Sequence, residues 1–224
     1  MCSDGTYEPL VYYDGRNYNY VFNQNTFLLD RIKSTHLDFS SFPLYSDQID
    51  KKQLMKDFKQ LEGFGKDKFF EPFGCVEEDY EKFKGMYRIT DYFSQKCRLK
   101  GSFMGKETFL SYFIKHKDLI ESELDEVNYE NVMEYLFQKK GECGQCTLFN
   151  TTVAKRVLET FKPKRWLDPS AGWGDRLIAA LAYGKCDYVG VDPSNCMNPV
   201  YKEIIDEFKH SIKEYRVIKS GFED

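Results

Sequence analysis

Beyond residue 147 the apolar positions fall into two alternating periods. In residues 151–161, Val153, Ala154, Val157, Leu158 and Phe161 recur at three- and four-residue spacing, which predicts an amphipathic helix stopped by Pro163. Residues 165–168 then read as a strand. Residues 174–182 carry Leu177, Ile178, Leu181 and Ala182 at helical spacing, and Gly184 supplies the residue type that ends helices. Residues 187–192 contain the short apolar strand Tyr188-Val189-Gly190-Val191. Pro199 opens a third helix with Ile204, Ile205 and Phe208 toward the sheet, and residues 215–218 form a third strand. Helix and strand in strict alternation predict an α/β unit with three parallel strands, because parallel neighbours need a crossover, usually helical, between them.

The first 125 residues are less regular. Residues 53–61 place Leu54, Phe58 and Leu61 on one helical face, and residues 107–119 do so with Leu110, Phe113, Ile114 and Leu119. A helical pattern resumes over residues 131–137. The acidic run 121–126 marks a boundary near residue 125, so a mixed, mainly helical amino-terminal region (1–125) would precede the α/β part (126–224). Aromatic residues are dense early in the chain, as at Tyr12-Tyr13 and over residues 18–22, and packing explains them.

At 224 residues and 42% hydrophobic content, the chain can bury a substantial core. No run reaches the ~18 apolar residues of a membrane span, and the start has no secretory pattern. The expectation is a cytoplasmic protein without a membrane partner. Seven scattered cysteines, an odd number, read as reduced thiols. The net charge of −4 gives no bulk attraction to phosphate, so a nucleic-acid partner would require a local basic patch.

The chemistry concentrates at Asp168-Pro169-Ser170-Ala171-Gly172-Trp173-Gly174. A strand ending in an acid, a turn with two glycines and a helix make a holder for a nucleoside-bearing cofactor at the carboxyl edge of a sheet. Glycine lets main-chain N–H groups approach such a ligand. Asp192 ends the next strand 24 residues on (168 to 192), near the ~20 of a βαβ nucleotide unit, where it would accept both ribose hydroxyls. Leu177 stands where a dinucleotide fingerprint needs its third glycine, which makes a nicotinamide enzyme the weaker alternative.

Asp168 to Leu177 resembles motif I of class I S-adenosylmethionine-dependent methyltransferases, in particular the DNA amino-methyltransferases of phages and large DNA viruses. Tyr188-Val189-Gly190-Val191-Asp192-Pro193 resembles the motif that follows, and Phe149-Asn150-Thr151-Thr152 the segment before the first strand, with Thr151 where those enzymes carry proline. Asp91-Tyr92-Phe93-Ser94 and the residues to Lys100 carry a fainter likeness to the same family. The resemblance implies a partial Rossmann-like methyltransferase sheet binding S-adenosyl-L-methionine through Phe149, Thr151, the 168–174 motif, Asp192, Pro193 and Glu223. Within it, Asp168 would orient the methionine ammonium, Asp192 would hold ribose, and Glu223 or Asp224 would lie near the adenine amine. DNA would be the partner and an exocyclic amine the methyl acceptor.

Such enzymes hold the amine with an Asp/Asn/Ser-Pro-Pro-Tyr/Phe loop after a fourth strand, and the chain has none. Asn198-Pro199-Val200-Tyr201 falls after the second strand and reads as a helix start. The catalytic residues are therefore unassigned, and the expectation is a chain incomplete at its carboxyl end, or a non-catalytic cofactor- or nucleic-acid-binding protein. The first strand would then expose an edge to a pairing partner or a missing carboxyl-terminal segment. Cys143 and Cys146 have the spacing of half a zinc site, with Cys75 and Cys97 as further ligands to test, but His36, His116 and His210 are dispersed and a structural role is expected. Lys96, Arg98 and Lys100 beside Tyr92 and Phe93 form a candidate nucleic-acid patch that a solvated helix face explains equally well. Arg176 reads as a helix-face ion pair.

Overall fold

The computed structural model describes residues 39–65, 86–101, 105–139 and 141–222, and the backbone of two further strands. Those strands, β1 (Leu10–Tyr13) and β2 (Tyr18–Val21), pair antiparallel with Leu10 opposite Val21. They belong to one compact unit, residues 1–37, and everything else to a second, residues 38–224. The division thus falls before residue 38, whereas composition places a boundary near 125.

In the second unit, α1 (Lys51–Gly63) starts at Asp50, whose carboxylate accepts the Gln53 N–H at 2.7 Å, and buries Leu54, Phe58 and Leu61 on one face. Helix α2 (Tyr87–Arg98) packs beside it, with Arg88 paired to the buried Asp57 at 2.9 Å. The single helix expected over 107–119 is instead β3 (Glu107–Thr108), α3 (Phe109–Lys115) and α4 (Lys117–Glu123). Thr108 caps α3 by accepting the Ser111 N–H, and His116, at φ −113° and ψ 20°, breaks the helix, which leaves Ile114 and Leu119 exposed. After α5 (Tyr129–Gln138), β4 (Cys143–Gly144) pairs parallel with β3.

The carboxyl-terminal third follows the expected alternation: α6 (Thr151–Phe161), β5 (Arg165–Asp168), α7 (Asp175–Tyr183), β6 (Asp187–Val191), α8 (Met197–Phe208) and β7 (Tyr215–Ile218). The three strands are parallel in the order β5-β6-β7. Asn150 caps α6 by accepting from the Thr152 and Val153 N–H groups. The helix ends at Lys162 in the left-handed conformation, one residue before Pro163, with Val157 and Phe161 facing outward rather than inward.

Every residue of α7 except Arg176 is buried. A helix apolar nearly all round must be enclosed, and α1, α2, α6 and α8 all pack on it. Phe58 of α1 stacks flat on Phe208 of α8, ring centroids 3.9 Å apart, so the expected amino-terminal region and the sheet share a core. Trp166, Tyr188, Tyr215 and Val217 line the covered face of the sheet. On the other face Leu167 and Ile218 are exposed, and among the described residues β5 pairs with β6 alone. Parallel sheets are normally covered on both faces, whereas this face shows exposed apolar side chains among the described residues.

Candidate functional site

Register decides where the two acids meet. Asp168 ends β5 opposite Gly190 of β6, and Asp192, two residues after Gly190, directly follows the strand, so both carboxylates leave adjacent parallel strands at the same edge. Between them runs the bend 169–174. The Ala171 N–H donates to the Val191 carbonyl and the Gly172 N–H to Asp192 Oδ2, both at 2.9 Å, which clamps the bend onto the end of β6. Gly172 (φ 62°) and Gly174 (φ 93°) occupy left-handed conformations that side chains resist. At Gly174 a Cβ would also lie 2.8 Å from Ile204 Cδ1, so the side chain of Ile204 on α8 fills the space a larger residue would need. Pro169 and Ser170 are exposed and Gly172 and Trp173 half-buried, so the rim of the bend faces solvent.

Asp168 is buried and accepts from Arg176 Nε at 2.8 Å, the Tyr188 hydroxyl at 2.7 Å and the Ser170 N–H at 3.2 Å. Burial first, then the Asp168 charge, pushes the Tyr188 phenol up, so it stays a neutral donor. Arg176 is an ion-pair partner, as its helix position predicts, and its guanidinium also lies 5.0 Å from the centre of the Phe149 ring. Asp192 accepts a second N–H, from Ser194, at 2.8 Å. The Tyr201 hydroxyl donates to the Gly172 carbonyl beside Asp192, and burial followed by the Asp192 charge pushes it up as well.

A third carboxylate, Asp175, is the first residue of α7. It is almost wholly buried and accepts from Thr90 Oγ1 of α2 at 2.7 Å, Thr151 Oγ1 of α6 at 3.4 Å and the Phe149 N–H at 3.3 Å. Burial raises its carboxyl to about 6, against the downward pull of the Thr90 and Phe149 donors and of the Arg98 charge. Asp175 thus ties the 149–151 segment and α2 to the helix that starts from the bend.

The chain matches no family model, no curated protein and no solved structure among those compared.

Of the residues singled out from sequence, Asp168, Pro169, Ser170, Ala171, Gly172, Trp173, Gly174, Asp192 and Pro193 lie on this one edge, with Pro193 exposed. Phe149 and Thr151 join them through Asp175. Glu223 and Asp224 lie outside the described residues. Sequence reasoning missed Asp175, Tyr188 and Tyr201 as members. An acid in the first turn of a helix was a visible sign for Asp175, whereas Thr90, 85 residues away, gave none.

Two expectations are corrected. The cysteines are not all reduced, because Cys97 and Cys196 form a disulfide, with Cα atoms 5.8 Å apart. Cys97 is thereby withdrawn from a metal site, Cys143 is a buried thiol raised by desolvation to about 11, and Cys75 lies outside the described residues. The second correction concerns the basic aromatic patch, which is dispersed. Arg98 is buried in an ion pair with Asp91, Lys96 pairs with Asp47, Lys100 lies over the Phe39 ring, and Tyr92 and Phe93 pack against the core. The reason is helical geometry: α2 turns its 91, 94, 95 and 98 positions inward, where a charge needs a partner.

Proposed function

We propose that the chain is the S-adenosyl-L-methionine-binding half of a Rossmann-like methyltransferase acting on an exocyclic amine of DNA. The observation that carries the reading is the pairing of Asp168 and Asp192 at one sheet edge, bridged by a glycine bend whose N–H is bonded to Asp192. Hydrogen-bonding capacity fits the ligand. A carboxylate offers about four acceptor positions. Asp192 gives two of them to backbone N–H groups, with the Tyr201 hydroxyl close enough to interact as well, and its remaining capacity would meet the ribose hydroxyls. Asp168 uses three and keeps one for a single N–H of the methionine ammonium, while Arg176 stands beside it for the carboxylate. S-adenosylmethionine would bring the reactive methyl and its sulfonium. The protein would contribute alignment of the acceptor amine, worth much of such a reaction without a strong general base.

The local basic surface that DNA requires is on α1. Lys51, Lys52, Met55, Lys56, Lys59 and Gln60 line a shallow depression of about 770 Å³. Lys51 pairs with Glu207 at 2.9 Å, and Lys52, Lys56 and Lys59 are exposed. Glu207 lies in the last turn of α8, so the face stands about 15 Å along that helix from its start near Asp192 and would grip flanking phosphates rather than the target base.

A second reading is a cofactor-binding protein without turnover. It is favoured by Asn198-Pro199-Val200-Tyr201, which lies inside α8 with Tyr201 buried against Gly172 and therefore unable to hold an amine. Calorimetric titration with S-adenosylmethionine and with NAD tests the cofactor, and selective NAD binding refutes the proposal. Labelled methyl transfer to DNA, RNA and protein separates the two readings, because transfer by the folded, cofactor-bound chain rules out a protein without turnover.

A further inference from the structure

Cys97 sits in the last turn of α2, and Cys196 immediately precedes α8, four residues after Asp192. The bond closes a span of 99 residues and restrains the short segment 193–196 between Asp192 and the helix. The restraint reaches the bend through α8, where Tyr201 bonds the Gly172 carbonyl and Ile204 packs on Gly174. Cys196 is exposed although Cys97 is buried, so a thiolate from solvent has a sulfur to attack. The packing of α2 on α8 does not depend on the bond: Phe93 and Phe208 meet edge to face at 5.6 Å within the shared core.

We propose that this disulfide is a redox gate on the cofactor site. Oxidised, it holds Asp192 and the start of α8 in the arrangement that receives the ribose; reduced, it frees residues 193–196 and weakens adenosyl binding. The gate rests on the cofactor reading above. A dithiol is the reductant. Its first thiolate bonds to Cys196 Sγ, the Cys97–Cys196 bond breaks, and Cys97 leaves as a thiolate that takes a proton. Its second thiolate then displaces Cys196, which is protonated in turn. The reductant ends as a cyclic disulfide, and the protein has gained two electrons and two protons.

The test compares the full chain oxidised, reduced with dithiothreitol, and as the Cys97→Ser/Cys196→Ser variant. The readouts are calorimetry with S-adenosylmethionine, hydrogen exchange at residues 193–197, and circular dichroism as a check on folding. Reduction is expected to weaken binding about tenfold, the cost of re-ordering a short loop on association. Reoxidation restores it, the double variant stays weak in both conditions, and exchange quickens over 193–197 in the reduced and variant forms alone. Equal, measurable affinity in the oxidised and reduced states overturns the gate and leaves the cofactor reading standing. Absence of binding in both states overturns both. Alkylation of Cys97 and Cys196 before any reductant is added shows that the bond is not there to be cut.

Discussion

Asp175 gives the sharpest test of how the site is held. Its carboxyl is raised from 3.8 in the free state to about 6 in the fold, mainly by burial. A folded-state pKa above the unfolded one means that the folded protein binds the proton more tightly. The stabilisation is complete only well below pH 3.8 and is lost as pH rises through about 6, the reverse of a carboxylate in an ordinary salt bridge. The interval corresponds to about 3 kcal/mol, at 1.36 kcal/mol per pH unit. Other carboxylates titrate in the same range, so the quantity to measure is the difference in urea-unfolding free energy between the native chain and Asp175→Asn. The amide is isosteric and has no charge to desolvate. That difference should shift by about 2 kcal/mol between pH 4 and pH 7, with Asp175→Asn gaining relative to the native chain at neutral pH. A difference flat to within about 0.5 kcal/mol across this range refutes the claim that desolvation governs Asp175, and with it the picture of a buried charge held by Thr90, Thr151 and Phe149.

Other perturbations separate ligand binding from packing. Asp192→Ala should abolish S-adenosylmethionine binding in calorimetry while circular dichroism stays near native. Asp192→Asn keeps only one of the two oxygens that accept the Gly172 and Ser194 N–H groups, and should lose at least tenfold in affinity together with a drop in urea midpoint from the N–H left without its acceptor. Neutralising Lys52, Lys56 and Lys59 to Gln should lower the slope of log affinity for a DNA duplex against log salt by about 3, equivalent to a roughly 40-fold weaker salt response between 50 and 200 mM; an unchanged slope removes α1 from the interface. Gly174→Ala meets both φ 93° and Ile204 Cδ1 at 2.8 Å, and should cost about 1–3 kcal/mol in unfolding free energy. Adding Ile204→Val removes the clashing methyl and should recover part of that loss, the backbone share remaining.

What the sequence made legible was local. The α6-β5-α7-β6-α8-β7 succession was readable because each element carries its own periodicity and its own stop, such as Gly184 after α7, and parallel pairing then follows from chain order. The bend was readable for the same reason, since Asp168, Gly172 and Gly174 are neighbours in sequence. Everything that anchors this edge to the rest of the molecule is distant. Thr90 reaches Asp175 across 85 residues and Cys97 reaches Cys196 across 99, and no periodicity records either pair. The helix α2 shows why the sequence left a binding patch and a solvated face equally open. Lys96, Arg98 and Lys100 look alike in a string, but helical phase sends Arg98 inward to Asp91 and leaves Lys96 on the surface. The charge that reads as a binding patch is in part the internal wiring of the site: Arg98 lowers the carboxyl of Asp175, the residue through which α2 holds the bend. Arg98→Met should therefore raise the pH at which the Asp175 difference profile turns over, whereas Lys96→Met should leave it in place.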